Sequence, residues 1–267
     1  MDLGLTGAVI AVTGGGAGIG QGISRACLHE GARVVVLSHN SENVRIFIAE
    51  TAQNGLPCEL IVTELNETAQ CKSAIEQIAA RYGRLDGLVN NAGSNDGVGL
   101  ESGNPEQFEE SLRNNLLHYY SLAHFALPML KASRGSIVNI SSKVAITGQG
   151  NTSGYAAAKG AQLALTREWA AELLKYGIRV NAVLPAEVLT PLYERWVSKQ
   201  PDPEATLQHI TGQIPLEQRM TTAAEIAAAV VFLLSPTQAG HTTAQHIIVD
   251  GGYVHLDRML TASNRST

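Results

Sequence analysis

Residues 13–20 read Thr13-Gly14-Gly15-Gly16-Ala17-Gly18-Ile19-Gly20. This glycine-dense stretch sits between an apolar run, 8–13 (AVIAVT), and a segment, 19–30, in which Ile19, Ile23, Ala26 and Cys27 recur at helical spacing. A strand that turns sharply into a helix favours residues free to take positive φ. The same turn brings main-chain N–H groups to a helix N-terminus, where the macrodipole favours an anion. The loop by itself supports two readings, a tight strand-to-helix turn or a cradle for the phosphates of a dinucleotide. Its place after an N-terminal strand and before a helix is the context the second reading requires.

Outward from the loop the chain alternates. Short apolar, β-branched runs at 33–37 (RVVVL), 58–62, 86–90 (DGLVN), 136–140 (SIVNI), 179–184 (RVNAVL) and 245–249 predict strands. Helical spacing predicts helices over 42–53, 68–82, 105–131, 152–176 and 223–234, the third bent near Pro128, which removes a ladder donor. Residues 185–222 read as less regular. Strands of this length separated by helices form βαβ units, hence an α/β, Rossmann-type, doubly wound parallel sheet with helices on both faces. The strands are continuously apolar, as burial on both faces demands. No linker, repeat or low-complexity block divides the chain, so 1–267 reads as a single domain, with a substrate lid over about 187–222 and a tail over 254–267.

Composition narrows the function classes. A net charge of −5 over 267 residues leaves no basic stripe for nucleic acid. A hydrophobic fraction of 45% argues against disorder, and no apolar run is long enough to span a membrane. Residues 1–5 lack the basic start and apolar stretch of a signal peptide. Cys27, Cys58 and Cys71 lack C-x-x-C spacing and read as small side chains in a reducing compartment, so a cytoplasmic protein is expected. His241, His246 and His255 have no metal-ligand spacing; they read as surface or interface residues, and no metal is expected.

Tyr155 and Lys159 stand four apart on a predicted helix and share a face. Such a pair is common on amphipathic helices. It is also what alcohol oxidation needs, since a tyrosine with a pKa of about 10 becomes a usable base only where a nearby ammonium favours its phenolate.

The spacing T-G-x-x-x-G-x-G at 13–20, N-N-A-G at 90–93 and Y-x-x-x-K at 155–159 resembles the classical short-chain dehydrogenases/reductases, over residues 5–253. The resemblance implies a seven-stranded sheet, NAD or NADP as cofactor, and a homotetramer. It implies Asn115, Ser142, Tyr155 and Lys159 as the catalytic set, with Ser142 on the reacting oxygen and Asn115 bending its helix and holding a water on a proton relay. Around the cofactor it implies Thr13, Gly14, Gly18, Ile19, Gly20, Ser38, Glu64, Leu65, Asn91, Ala92, Gly93, Val188 and Thr190, besides Tyr155 and Lys159. The segment 185–190 departs from the family's P-G-x-V-x-T in carrying Ala186. At the end of the second strand, where an acid suits NAD and a base suits NADP, Ser38 and His39 offer neither, so both cofactors are expected to serve.

The expected substrate pocket collects polar residues: Asn95 and Asp96, Lys143, Gln149 and Asn151, and Glu187. With Ser142 and Tyr155 they suit a polyhydroxylated substrate, because groups that pair hydroxyls discriminate strongly. The stretches 90–99, 138–155, 185–193 and 241–260 are similar to bacterial L-fucose (aldose) dehydrogenases, which implies oxidation of the C1 hydroxyl of L-fucose or a related aldose to the lactone. The competing readings are a sugar-acid dehydrogenase, a 3-oxoacyl reductase and a non-catalytic NAD(P)-sensing protein. The 3-oxoacyl reductase shares every catalytic residue.

Overall fold

The computed structural model describes residues 2–257. Its centre is a seven-stranded sheet in the order β3-β2-β1-β4-β5-β6-β7, and every neighbouring pair is parallel. The strands are β1 (Val9–Thr13), β2 (Arg33–Ser38), β3 (Cys58–Val62), β4 (Gly87–Asn90), β5 (Ser136–Ile140), β6 (Arg179–Pro185) and β7 (His246–Val249). The helices are α1 (Gly18–His29), α2 (Glu42–Gln53), α3 (Thr68–Tyr82), α4 (Pro105–Leu112), α5 (His118–Ser133), α6 (Ser153–Leu173), α7 (Pro191–Val197), α8 (Pro203–Gly212) and α9 (Ala223–Leu234).

The alternation of side chains along each strand builds two cores. Ile10, Val12, Val34, Val36, Val89 and Val138 face one way and pack with Ile23 and Cys27 of α1, Phe47 of α2 and Ile226 and Val230 of α9. Val9, Ala11, Val35, Leu37, Leu88 and Ile137 face the other way and meet Ile78 of α3, Tyr119 and Leu122 of α5 and Trp169 of α6. Each fully buried large side chain contributes about 1.5–3 kcal/mol. Arg179, buried at the start of β6, donates to the carbonyls of Leu233, Leu234 and Ser235, and so satisfies the C-terminal end of α9.

Two local expectations change. The break in the long 105–131 segment falls at a π-helical turn, Arg113–Leu117, whereas Pro128 sits inside α5. Asn115 causes the break: its Nδ2 donates to the Ser111 carbonyl at 3.0 Å, inserting a side chain into the helical ladder. The segment 185–222 contains two helices, α7 and α8, each opened by a proline in its first turn and a side-chain cap, Thr190 and Asp202. Of the tail expected over 254–267, residues 258–267 lie outside the described residues.

All strands point the same way, so their C-terminal ends share one edge. Strand order reverses between β1 and β4, and a crevice opens there.

Candidate active site

The crevice is a cleft of about 810 Å³. The glycine loop forms its floor. Gly14 takes φ +62°, the left-handed region, and a Cβ on Gly20 would lie 2.3 Å from the Gly14 carbonyl oxygen. Only glycines let the loop close this tightly on the start of α1. That helix begins without a side-chain cap and without an acidic residue in its first turn, so its free N–H groups face the cleft. Thr13 does not line the cleft. Its buried hydroxyl accepts from the main-chain N–H groups of Asn91 and Ala92 at 2.8 and 2.9 Å, stapling β1 to the N-A-G turn from behind.

Gly14, Gly18, Ile19, Gly20, Asn91, Ala92 and Gly93 line one stretch of the cleft; Ser38, Glu64 and Leu65 line its far end; Val188 and Thr190 close it from β6. At the far end His39 Nδ1 lies 3.4 Å from Glu64 Oε2. A long cleft with bare N–H groups at a helix start, and hydroxyl and carboxylate groups beyond, fits a dinucleotide bound across the switch point. Bound there, a nicotinamide ring would supply the hydride acceptor or donor.

The expected catalytic residues gather where β5 and α6 meet. Ser142, just past β5, and Tyr155 and Lys159 on α6 all line the cleft. Ser141 Oγ turns away and donates to the Lys159 carbonyl at 2.9 Å. Lys159 Nζ lies 5.4 Å from the centre of the Tyr155 ring and donates to the Ile140 carbonyl at 2.8 Å. The sequence suggests that the ammonium holds Tyr155 below its ordinary pKa. In the fold, burial instead pushes Tyr155 up to about 12, opposed by a hydrogen bond with Ser142. Burial pushes Lys159 down to about 7. Both groups have lost water, so each resists its own charged form.

Asn115 is fully buried behind the wall: Oδ1 accepts from the Ser94 N–H at 2.8 Å, and its carbonyl accepts from Gln162 Nε2 at 2.8 Å. Its neighbour Asn114 lines the cleft and accepts from Asn66 Nδ2. Two residues the sequence reading passed over stand here. Tyr119, fully buried, donates from its hydroxyl to the Ile140 carbonyl at 3.0 Å, and Lys159 Nζ donates to that hydroxyl at 3.4 Å. His118 is buried with Nδ1 unpartnered, and burial moves its pKa down to about 4. The available signal was helical spacing, which places Tyr119 one turn beyond Asn115.

The opposite corner is polar. Asn95, Lys143, Gln149 and Glu187 line it, whereas Asp96 and Asn151 do not. Lys143 Nζ forms an ion pair with Glu187 Oε1, and the Tyr193 hydroxyl donates to Glu187 Oε2 at 2.8 Å. The Lys143 ammonium also lies 4.1 Å from the centre of the Tyr253 ring. Glu187 therefore has structural partners that one dimension did not reveal. Tyr193 and Tyr253 join the corner only through tertiary structure. Among the described residues no group of three or more His, Cys, Asp or Glu side chains could hold a metal ion, and His241, His246 and His255 do not converge.

Comparison with known proteins agrees with this architecture. A family model described as enoyl-(acyl carrier protein) reductase matches residues 14–254. The chain is 38% identical to an L-fucose dehydrogenase of Bos taurus over 248 residues, covering 92% of this chain and 89% of that one. It superposes with a TM-score of 0.92 on the crystal structure of Cj0485 dehydrogenase, at 43% identity, over 97% of this chain and 98% of that one. The ligand-free aldohexose dehydrogenase of Thermoplasma acidophilum matches with a TM-score of 0.85 at 31% identity, over 96% of this chain and 98% of that one. With its glycine loop, parallel sheet and Tyr155–Lys159 pair, the chain belongs to the short-chain dehydrogenase/reductase family of oxidoreductases.

Proposed function

We propose that the protein oxidises the C1 hydroxyl of L-fucose or a related aldose to the lactone, with NAD or NADP as hydride acceptor. The observation that carries this reading is the Lys143–Glu187–Tyr193 corner beside Ser142 and Tyr155. A sugar offers several hydroxyls that both donate and accept, and a corner holding an ammonium, a carboxylate and a phenol matches them. An acyl chain would leave those groups unpaired at substantial cost. Similarity to the L-fucose and aldohexose dehydrogenases supports the same substrate class.

Tyr155 accepts the C1 hydroxyl proton as the C1–H bond breaks and hydride leaves for the dinucleotide. Ser142 donates a hydrogen bond to the same oxygen. Lys159 stabilises the phenolate, and Asn115 shapes the π-turn behind it. Ser38 and His39 leave the ribose end open to either dinucleotide. Residues 187–222 act as the substrate lid, α7 reaching the site through Tyr193. Exposed Leu117 and Tyr120 near the start of α5 support assembly as a homotetramer.

The test is an initial-rate screen of aldoses, sugar acids and hydroxyacyl thioesters with each dinucleotide. The expected result is turnover of aldoses with lactone as product. Turnover confined to thioesters overturns the reading in favour of an acyl reductase. Dinucleotide binding without turnover of any class overturns it in favour of a sensing protein.

A further inference from the structure

Lys159 is buried, and among the described residues no carboxylate lies within ion-pair distance of it. Its ammonium therefore depends on neutral dipoles. Two are in place: the Ile140 carbonyl at 2.8 Å and the Tyr119 hydroxyl at 3.4 Å. The Tyr119 ring adds its face, with Nζ 5.5 Å from the ring centre. Tyr119 donates its own proton to the same Ile140 carbonyl at 3.0 Å, so the hydroxyl's lone pairs are turned away from that carbonyl. The three groups form a closed triangle. The Asn115 carbonyl, by contrast, already accepts from Gln162 Nε2.

We propose that Tyr119 is a positioning residue of the reaction, whose hydroxyl, locked on the Ile140 carbonyl, holds the Lys159 ammonium within reach of Tyr155. The inference rests on the reading that Tyr155 and Lys159 carry the chemistry. A phenylalanine at 119 would keep the packing and the ring face and remove the hydroxyl, with both its acceptance from Lys159 and its donation to the Ile140 carbonyl. Besides Tyr119, the titratable groups facing Lys159 are Tyr155 on its own helix and His118 on α5. His118 is held neutral by burial, so it supplies no competing charge at neutral pH.

Losing a dipole that stabilises the ammonium makes Lys159 release its proton at lower pH. It also lowers the share of molecules carrying an ammonium beside a phenolate, which is the form able to act as base. In Tyr119→Phe the plateau kcat is expected to fall about tenfold, the size of one hydrogen bond to a charged group. The rising limb of the pH profile moves to lower pH by up to about one unit. The aldose KM and the melting temperature stay near wild type. A purely structural role would instead lower the melting temperature and leave the limb in place.

The experiment measures kcat against pH for wild type, Tyr119→Phe and Tyr155→Phe, with melting temperatures and dinucleotide affinity by fluorescence. A lowered plateau and an acid-shifted limb in Tyr119→Phe support the proposal. An unmoved limb and plateau, with Tyr155→Phe inactive, overturn it and leave the assignment of Tyr155 standing. Substantial turnover in Tyr155→Phe overturns the underlying reading, and the proposal with it. Should Tyr119→Phe fail to fold, 3-fluorotyrosine placed at position 119 keeps the shape and weakens the hydroxyl as an acceptor. A smaller shift of the limb in the same direction then supports the proposal, and an unmoved limb overturns it.

Discussion

Lys143, in the turn after β5, is ion-paired with Glu187, in the loop after β6, and both side chains are largely enclosed. The pair ties the segment carrying Ser142 to the start of the 187–222 segment, and Tyr193 of α7 donates to the same carboxylate. Removing one partner leaves the other charge buried and unpaired, which costs about 3–5 kcal/mol. Glu187→Gln and Lys143→Met should each lower the melting temperature and reduce aldose kcat/KM at least about tenfold. The double variant should recover much of the stability. A double-mutant cycle measures this, with a coupling energy above about 1 kcal/mol expected. Strict additivity would show that the two charges act independently.

Tyr155→Phe removes the hydroxyl proposed to take the substrate proton and keeps the ring. Turnover should fall by about 10²–10⁴, the usual contribution of a general base. Dinucleotide affinity, measured by fluorescence titration, should stay within about twofold. Retention of a tenth or more of wild-type kcat would remove Tyr155 from its role.

With Lys159 at about 7 and Tyr155 at about 12, the two groups together shed their first proton near pH 7. Below that pH both groups are protonated, and no base is available. Above it, the form with ammonium and phenolate is a constant share of the singly protonated pair. Oxidation kcat/KM should therefore rise about tenfold per pH unit below about 7 and flatten above it, while reduction should show the opposite preference. A steady-state profile with the aldose measures this. A rate independent of pH between 5 and 7 would contradict it.

The far end of the cleft, where the ribose is expected, carries Ser38, with His39 and Glu64 beside it. Ser38→Asp should favour NAD by about tenfold or more, through a charge-assisted hydrogen bond to the ribose hydroxyls and repulsion of a 2′-phosphate. Ser38→Arg should favour NADP by a similar factor. The ratio of the two dissociation constants, read by fluorescence, checks both. Unchanged ratios would place discrimination elsewhere.

Much of the site was legible in one dimension because its chemistry repeats a local spacing. Gly14, Gly18 and Gly20 mark a strand-to-helix turn whose geometry depends on neighbours in sequence. Tyr155 and Lys159 share a face because they lie one helical turn apart. Ser142 and Glu187 follow strands, and parallel strands deliver their ends to one edge. Thr13 was legible as part of the motif but not in its orientation, since its hydroxyl binds a turn on β4 more than seventy residues away. The bend at Asn115 was legible only through the family resemblance, because proline announces itself chemically, whereas Asn115 acts through where its amide bonds.

The amino-acid sequence by itself determined the α/β alternation, the glycine turn and the candidates for the reactive side chains, because strand and helix periodicities and short-range spacings are local properties. Only the tertiary structure decided the electrostatics. Burial raised Tyr155 and lowered Lys159, contrary to what the bare pair suggests. It was also folding that set Glu187 against Lys143 and the Tyr119 hydroxyl against Lys159, since the water a group loses and the dipoles it gains depend on residues distant in the chain.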